Sequence, residues 1–513
     1  MSEADKAGFW DRQWHPISAY ATKIGRWISE GKTRDGRADL TNFELGLLDT
    51  RVGPYSSNEK EIPLACLANP YVKPACLPIS LIAGFFMIIF LAPLFSEEYE
   101  MSLRFEKTGV CTEPCALEIV ESIPTNLTFA SAVNHTRTHE AWADLLRSAK
   151  KSVRIAALYW TLHDSGGYPT AVEGQRIYDE IVAAAKRGVK VQIVQNSRSK
   201  AFPQNDSAAL AAGGYAEVRS MDFRKLFGSG VLHTKFWIVD DHHIYVGSAN
   251  MDWRSLTEVK ELGVVVRNCS CMAIDLQKVF AIYWKVADSN ELIREPWHLN
   301  LRPAFNHAHP LNISFNGIPM RSFISSSPAP LNAKGRDHDA DAIIYVISQA
   351  REYVRVAVMD YFPATLYMGE ERNYYWGLLD DALRGAAFRG ARVDFRPEML
   401  GYLRSMLTIN DVLPFHVGGR RGEINVRFFT VPTSPEQRRI DHGRVNHNKY
   451  MVTEKMAYVG TSNWAADYFI TTAGVGVIFE TVENPTIVSE FNAVFERDWT
   501  SNYTQQLTSS VDV

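Results

Sequence analysis

A histidine and a lysine stand two positions apart at two places in the sequence, as His233 with Lys235 and as His447 with Lys449. On a β-strand, residues i and i+2 project from the same face, so each pair presents an imidazole beside a fixed positive charge. A neutral imidazole can attack phosphorus, an imidazolium can protonate a leaving oxygen, and lysines hold the negative charge of the transition state. The two pairs therefore favour chemistry on a phosphodiester.

The residues after each pair also recur. Four residues separate the lysine from a carboxylate, Asp240 in the first copy and Glu454 in the second. An asparagine, Asn250 or Asn463, stands three positions after a glycine, and its amide can donate hydrogen bonds to phosphate oxygens. We assign these four residues to the catalytic set, where each carboxylate would position a histidine or make structural hydrogen bonds. The predicted substrate contacts are Ser248, Thr461, Trp253 and Trp464.

A metal site is the alternative interpretation of the first copy. Asp240, Asp241, His242 and His243 are consecutive and of ligand type. Lys235 would repel a cation there, and the second copy has no matching cluster. We therefore expect neither a metal nor a cofactor, with the two lysines supplying the positive charge.

Beyond residue 125 the same order of elements occurs twice. Residues 138–160 and 339–362 each read as an amphipathic helix that runs into an apolar strand, and a second helix and strand follow in both copies. This pattern predicts an α/β fold of two pseudo-symmetric lobes with mixed or parallel sheets flanked by helices. A pseudo-twofold axis between the lobes would bring both motifs into one cleft. The predicted ranges are 126–301 for the first lobe, 302–338 for the crossover and 339–513 for the second lobe, which carries about twelve extra residues within 397–442.

The N-terminal region differs from the rest of the chain. Residues 75–95 include no charged side chain, and a helix of about 20 apolar residues spans a bilayer core. The sequence thus predicts a cytoplasmic tail over 1–74, disordered because of its polar composition, one transmembrane helix over 75–95, and a stem over 96–125. A buried core helix is the alternative for 75–95.

Sequons and cysteines set the expected orientation, because all six sequons and four of the six cysteines lie after residue 95. Four cysteines follow the apolar segment, and an oxidising lumen would join the CxxxC pair to the CxC pair, since a ring closed within the CxC is strained. Four free buried thiols are the alternative. We expect a single-pass anchor with a lumenal C-terminal side. The cysteines are Cys111, Cys115, Cys269 and Cys271, and the predicted glycosylation sites are Asn126, Asn134, Asn205, Asn268, Asn312 and Asn502.

The first motif reads HxK, four residues, Asp, six residues, GSxN, and so resembles the phospholipase D superfamily at every signature position. The second motif differs in its acid, Glu454, which also stands one residue closer to the glycine. Around both motifs, over about residues 75–505, the chain is similar to the D3 and D4 branch of that superfamily. The net charge of −4 indicates no global basic field, so an anion site must be local.

The resemblance implies a metal-independent phosphodiesterase with a phosphohistidine intermediate, in which His233 attacks and His447 is the general acid. It further implies a lysosomal 5′→3′ exonuclease on single-stranded DNA and RNA, held as a type II membrane glycoprotein between the endoplasmic reticulum, the Golgi and the endolysosome. Transfer chemistry on lysophosphatidylglycerol-type lipids, giving bis(monoacylglycero)phosphate, is the alternative. An inactive phosphate-binding glycoprotein is the third hypothesis, and homo-oligomerisation stays open.

The orientation gives a first testable prediction. Enzymatic deglycosylation of the full chain should lower the mass of a fragment that begins after residue 95 and leave a fragment of residues 1–74 unchanged, because all six sequons lie after the apolar segment. Gel shifts of the two fragments measure this. Glycans on the tail would reverse the topology.

Overall fold

The computed structural model of the chain describes residues 108–164, 166–292, 297–368, 373–396, 403, 406–413 and 421–507. The predicted tail over 1–74, the predicted membrane helix over 75–95 and the start of the predicted stem lie outside the described residues. Within the described ranges, no helix has both the length and the apolar character that a bilayer crossing requires.

The first lobe is built on an eight-stranded mixed sheet with the order β2-β1-β10-β8-β7-β3-β5-β6. Strands β3, β5 and β6 run parallel, and the motif strands β7 and β8 form an antiparallel hairpin beside β3. The elements are β1 (Ala116–Ser122), β2 (Thr136–Arg137), α1 (Thr138–Ser148), β3 (Ser152–Ala157), β4 (Trp160–Thr161), α2 (Val172–Lys186), β5 (Lys190–Asn196), α3 (Asn205–Ala212), β6 (Glu217–Met221), α4 (Phe223–Phe227), β7 (Phe236–Val239), β8 (His243–Gly247), β9 (Met251–Asp252), α5 (Trp253–Thr257), β10 (Glu261–Arg267) and α6 (Ser270–Ser289).

The second lobe is built on a ten-stranded sheet with the order β11-β12-β21-β19-β18-β14-β16-β17-β22, and β13 pairs with β12. The elements are β11 (Leu311–Phe315), β12 (Ile318–Ser327), β13 (Asp337–His338), α7 (Asp339–Gln349), β14 (Tyr353–Val358), β15 (Tyr361–Phe362), α8 (Leu378–Phe388), β16 (Arg392–Arg396), β17 (Glu423–Phe429), β18 (Lys449–Thr453), β19 (Met456–Gly460), β20 (Trp464–Ala465), α9 (Asp467–Ile470), β21 (Gly474–Thr481), α10 (Thr486–Trp499) and β22 (Thr504–Gln506).

The two sheets repeat one another strand by strand. Removing β11 and β22 leaves β13-β12-β21-β19-β18-β14-β16-β17, which matches the first sheet position for position. The mixed α/β class and the pseudo-symmetric repeat agree with the prediction. The boundaries differ, because β1 falls within the predicted stem and β12 within the predicted crossover. Each of these strands pairs with a strand more than 130 residues away, β1 with β10 and β12 with β21, so no local pattern marks it as part of a lobe.

The motif strands lie in the middle of their sheets and are covered on both faces. All four residues of β7 and all five of β18 are buried, which explains the apolar run of β7 and the apolar centre of β18. In the first sheet, Trp237 packs under α1 and α2, whereas its neighbour Phe236 faces a core that contains α6 and continues through the second lobe. This shared core fixes the lobes against each other.

Two disulfides fasten the segment before β1 to the start of α6. Cys111 is bonded to Cys271 and Cys115 to Cys269, which confirms that the CxxxC pair joins the CxC pair. The six sequon asparagines named above are all solvent-exposed, as glycosylation requires.

A buried ionic network joins the lobes beside the motifs. Arg497 on α10 donates to Glu121 on β1 at 2.6 Å, and Lys260, which precedes β10, lies 2.8 Å from Asp498 and 3.6 Å from Glu121. Each of these side chains is at most 2% exposed. Burial alone would raise the pKa of Glu121, but the hydrogen bond from His135 and the charges of Lys260 and Arg497 lower it below its ordinary value. The carboxylate therefore stays ionised in the interior.

Removing one partner of such a network leaves uncompensated buried charge. We expect Arg497→Ala to reduce the free energy of unfolding by about 3–5 kcal/mol, measured by denaturant titration. The matched control is Arg147→Ala, since Arg147 pairs with Glu180 at the surface and is half-exposed, and its loss should cost about 1 kcal/mol or less. Equal effects of the two substitutions would contradict a stabilising role for the network.

Candidate active site

The lobes meet where the two motifs begin. The amide of His233 donates to the Ala473 carbonyl at 3.0 Å, and the amide of His447 donates to the Lys260 carbonyl at 2.8 Å. Ala473 and Lys260 each directly precede an equivalent strand, β21 and β10, so the two contacts are related by the pseudo-twofold. Each histidine is thus anchored to the opposite lobe before its own strand starts, and the structure brings both motifs together.

The His233 imidazole is held by a backbone carbonyl. Its Nδ1 lies 2.8 Å from the Thr461 oxygen of the second lobe and 3.1 Å from Lys235 Nζ, which donates at the shorter distance of 2.6 Å to the His233 carbonyl. Because a carbonyl only accepts, Nδ1 carries the proton, which leaves the lone pair of the neutral ring on Nε2. Burial, followed by the charges of Lys235, Lys449 and His447, lowers the pKa of His233 well below its ordinary value. A neutral imidazole with a free Nε2 lone pair is a nucleophile.

The His447 imidazole is held by a carboxylate instead. Its Nδ1 lies 2.8 and 2.9 Å from the two oxygens of Glu261, the first residue of β10 in the other lobe. Burial lowers the pKa of His447, while the Glu261 carboxylate opposes that shift and Lys449 adds to it. Glu261 therefore favours the imidazolium, which suits this ring to donate a proton.

Glu261 is the functional residue that the sequence interpretation missed. The two copies align at an offset of 213 positions, which relates Ser248 to Thr461. The same offset relates Glu261 to Gly474, so the repeat marks Glu261 as a carboxylate that has no counterpart in the second lobe. A Cβ atom at Gly474 would lie 2.0 Å from the Ser462 hydroxyl, so the second lobe has no room for a side chain there. The two halves of the site are consequently inequivalent.

The two lysines are buried in the same cleft. Lys235 donates from Nζ to the His233 carbonyl at 2.6 Å, and Lys449 donates to the His447 carbonyl at 2.9 Å. Burial, followed by the charge of Lys449, lowers the pKa of Lys235 well below its ordinary value, while Glu261 opposes this shift. Such a concentration of positive charge becomes favourable when an anion occupies the cleft.

The two motif asparagines have partners that sequence reasoning also missed. Asn463 donates from Nδ2 to Asp360 at 2.7 Å and to the Tyr468 hydroxyl at 3.1 Å. Asn250 makes one long contact of 3.5 Å, from Nδ2 to the Tyr159 hydroxyl. The ring of Tyr468 also lies edge-on to His233, with 4.9 Å between ring centroids. These partners carry no sequence signature because they follow the motifs or the first strands in irregular segments.

The motif carboxylates lie away from the histidines, which corrects their catalytic assignment. Asp240 accepts from the amides of Lys150, Lys151 and Ser152 at 2.6 to 2.8 Å, and Glu454 accepts from the amide of Arg351 at 2.7 Å. Each acid stands at the turn after its motif strand, whereas the histidine stands before that strand. Its role is to hold the turn that precedes the neighbouring strand β3 or β14.

The predicted substrate contacts are likewise corrected. Ser248 donates to the Leu262 carbonyl at 3.1 Å and accepts from its amide at 3.0 Å, and Thr461 accepts from the Val475 amide at 3.0 Å. These hydroxyls bind the adjacent strand, since the residue after each glycine faces β10 or β21. The indoles of Trp253 and Trp464 are also buried, at 4% and 1% exposure.

The side chains of the alternative metal cluster bind other groups of the protein. Asp241 forms an ion pair with Arg154, Asp240 holds the backbone amides, and His243 accepts from the Asn268 amide at 3.1 Å. These groups stabilise the β7–β8 hairpin.

The role of Glu261 is testable by titration. Glu261→Gln removes the charge that raises the pKa of His447, so we expect this pKa to fall, measured from the imidazole resonances by NMR. The imidazolium would then persist only to a lower pH. Glu480→Gln on β21 is the matched control and should leave His447 unchanged. An unchanged or higher His447 pKa in the Glu261 variant would refute the assignment.

Comparison with known proteins shows the family of the chain. Residues 130–399 match the family described as PLD3/4, PLD-like domain. The chain is 42% identical over 501 residues to a probable phospholipase D of Caenorhabditis elegans, covering 93% of this chain and 89% of that protein. It is 40% identical over 420 residues to human 5′-3′ exonuclease PLD3, covering 79% and 84% respectively. A crystal structure of Haemophilus influenzae phosphatidylserine synthase aligns with a TM-score of 0.49 at 13% identity, covering 79% of this chain and 92% of that one. The chain belongs to the phospholipase D superfamily of phosphodiesterases, in its PLD3/4 branch.

Proposed function

We propose that this protein is a 5′→3′ exonuclease that degrades single-stranded DNA and RNA through a phosphohistidine intermediate. The observation that carries the proposal is the single cleft in which one imidazole is held neutral on the Thr461 carbonyl and the other is held on the Glu261 carboxylate. Two buried lysines complete an anion site between them. The relatives named 5′-3′ exonuclease PLD3 support nucleic acid as the substrate.

In the first step the Nε2 lone pair of His233 forms a bond to phosphorus, and the bond from phosphorus to the leaving oxygen breaks. His447 donates the Nε2 proton of its imidazolium to that oxygen. Lys235 and Lys449 stabilise the negative charge on the non-bridging oxygens. The asymmetric partners at Nδ1 decide this division of roles, because only His447 has a carboxylate to favour its charged form.

In the second step water replaces the leaving group. The now neutral His447 takes a proton from the water, the hydroxide forms a bond to phosphorus, and the bond to His233 breaks. An alcohol can enter in place of water and would give transfer instead of hydrolysis. The relative named a probable phospholipase D supports a phospholipid as the substrate of this second candidate, for which the resemblance implies lysophosphatidylglycerol-type lipids.

Exposed tyrosines favour nucleic acid over lipid. Tyr367 is 62% exposed as a whole residue, and burial, followed by the charge of Asp360, which contacts Asn463 in the cleft, raises the pKa of its phenol. Tyr374 and Tyr375 are 48% and 59% exposed. Tyr375 forms a single antiparallel β-bridge with Ala364, three residues before Tyr367. Nucleobases stack on such rings with about 1–3 kcal/mol each. These rings replace the buried tryptophans as candidate base contacts.

The proposal includes a pH dependence. His447 must be protonated and His233 neutral in the same molecule, and the pKa of His233 lies well below the ordinary value because of burial and the neighbouring lysines. As the pH rises through the His447 pKa the general acid is lost, and as the pH falls through the His233 pKa the nucleophile is lost. A bell-shaped profile with its maximum below neutrality follows, which suits a lumenal, endolysosomal protein on a type II membrane anchor.

The test is turnover by the purified full chain in detergent, with EDTA present, on a 5′-hydroxyl single-stranded oligonucleotide and separately on lysophosphatidylglycerol. We expect nucleotides released one at a time from the 5′ end. His233→Ala, His447→Ala and Lys449→Ala should each lower kcat by several orders of magnitude, and double variants should lose little more, because these residues act as a unit.

His243→Ala is the matched control, since His243 lies on the β7–β8 hairpin outside the cleft, and it should retain activity. Near-native turnover by the His447 variant would show that the lobes do not share a site. Loss of turnover in EDTA, restored by a divalent metal, would overturn the mechanism. Product from the lipid alone would replace the exonuclease with the second candidate.

A further inference from the structure

The amide of Asn463 has both of its hydrogens engaged by the protein. Nδ2 donates to Asp360 Oδ2 at 2.7 Å and to the Tyr468 hydroxyl at 3.1 Å. The other end of the amide, Oδ1, is buried and has no hydrogen-bond partner among the residues that the structure describes. An ionised Asp360 can only accept, so it holds the amide in this orientation.

This orientation conflicts with the role that the sequence predicts for Asn463, which is to donate a hydrogen bond to a phosphate oxygen. A phosphodiester oxygen needs a donor, but the unpartnered end of the amide is an acceptor. Two acceptors that face each other repel, and a buried polar atom without a partner is destabilising. The amide must turn over before it can bind the substrate, and turning places Oδ1 against Asp360.

We propose that Asp360 is a positioning residue that takes up a proton when the phosphodiester binds and thereby turns Asn463 so that its Nδ2 faces the phosphate. The protonated carboxyl donates to Asn463 Oδ1 across the same short contact. The Tyr468 hydroxyl can rotate to donate as well. This inference rests on the proposed function and assigns to its site one residue that the superfamily signature does not contain.

The surroundings of Asp360 favour this proton uptake. Burial raises the pKa of Asp360, and the charge of Lys449 on β18 opposes the shift. Tyr468 and Asp467 from α9, and Tyr367 after β15, are the other titratable groups of this cluster. Burial also raises the pKa of Tyr468, which keeps its hydroxyl hydrogen for donation. A bound phosphodiester adds a negative charge near Lys449 and so disfavours ionised Asp360 further.

The first lobe has a tyrosine in place of a carboxyl group at the position equivalent to Asp360. Tyr159 stands 201 positions before Asp360, the same offset that separates Val153 from Val354 in the paired strands. Asn250 Oδ1 is likewise buried without a hydrogen-bond partner among the described residues, but the Tyr159 hydroxyl donates to Asp252 at 2.8 Å and receives only a contact of 3.5 Å from Asn250 Nδ2. A phenol that stays neutral holds Asn250 weakly at any pH in the working range. The proton linkage is therefore confined to the second lobe.

Calorimetric binding of dimethyl phosphate, which stays a monoanion, tests the inference. Titrations at about pH 5 to 7 in buffers with different heats of ionisation give the number of protons taken up. On binding dimethyl phosphate, the native full chain should gain as much as one more proton than the Asp360→Asn variant. The amide of that variant can donate to Asn463 Oδ1 at any pH. The affinity of this variant should also depend less on pH. Asp360→Ser, a second neutral variant, should show the same smaller uptake.

Asp467→Asn is the matched control, because Asp467 lies in the same cluster but accepts from the Leu366 and Tyr367 amides instead of from Asn463, and its uptake should match the native value. Equal proton uptake by the native chain and both Asp360 variants would overturn the inference. In that case, cleavage of the oligonucleotide by the native chain would still uphold the proposed function. A native chain that neither binds dimethyl phosphate nor cleaves the oligonucleotide would overturn both.

Discussion

The Nδ1 atom of each cleft imidazole is bonded to a group from the opposite lobe, and the rest of the site depends on that exchange. His233 is held by the Thr461 carbonyl and His447 by the Glu261 carboxylate. A single lobe would have a histidine with no defined tautomer and no partner for its proton. Both lobes must therefore be docked before either imidazole can act, and the repeat is a functional requirement as well as a pattern of the fold.

Docking in turn needs stabilisation that offsets the burial of positive charge. Lys235 and Lys449 lie close together in the cleft, and Glu261 faces them as a carboxylate already bonded to His447. The shared apolar core and the buried ion pair of Arg497 with Glu121 hold the lobes together despite this repulsion. A bound anion would relieve the repulsion, so substrate and tertiary structure stabilise each other.

The repeat gives both lobes the same backbone frame, and residue differences between the lobes make the two halves of the site inequivalent. Glu261 corresponds to Gly474, which has no space for a side chain, and Tyr159 corresponds to Asp360. The first difference favours the imidazolium at His447, and the second places a titratable carboxyl beside Asn463. In the proposed mechanism, the first of these differences separates the nucleophile from the acid.

The sequence by itself determined the α/β repeat, the shared face of each histidine and lysine, and that the CxxxC cysteines join the CxC cysteines. These are local properties, since periodicity, i and i+2 geometry and ring strain act over a few residues. The signature motif contains Asp240, and the repeat marks Glu261 only as a carboxylate without a counterpart, so neither pattern shows which of these two carboxylates of one lobe reaches a histidine. Only the tertiary structure decided that Asp240 binds the amides before β3 while Glu261 crosses to His447, 186 residues away. Such partners follow from how two sheets dock, and that depends on the whole core.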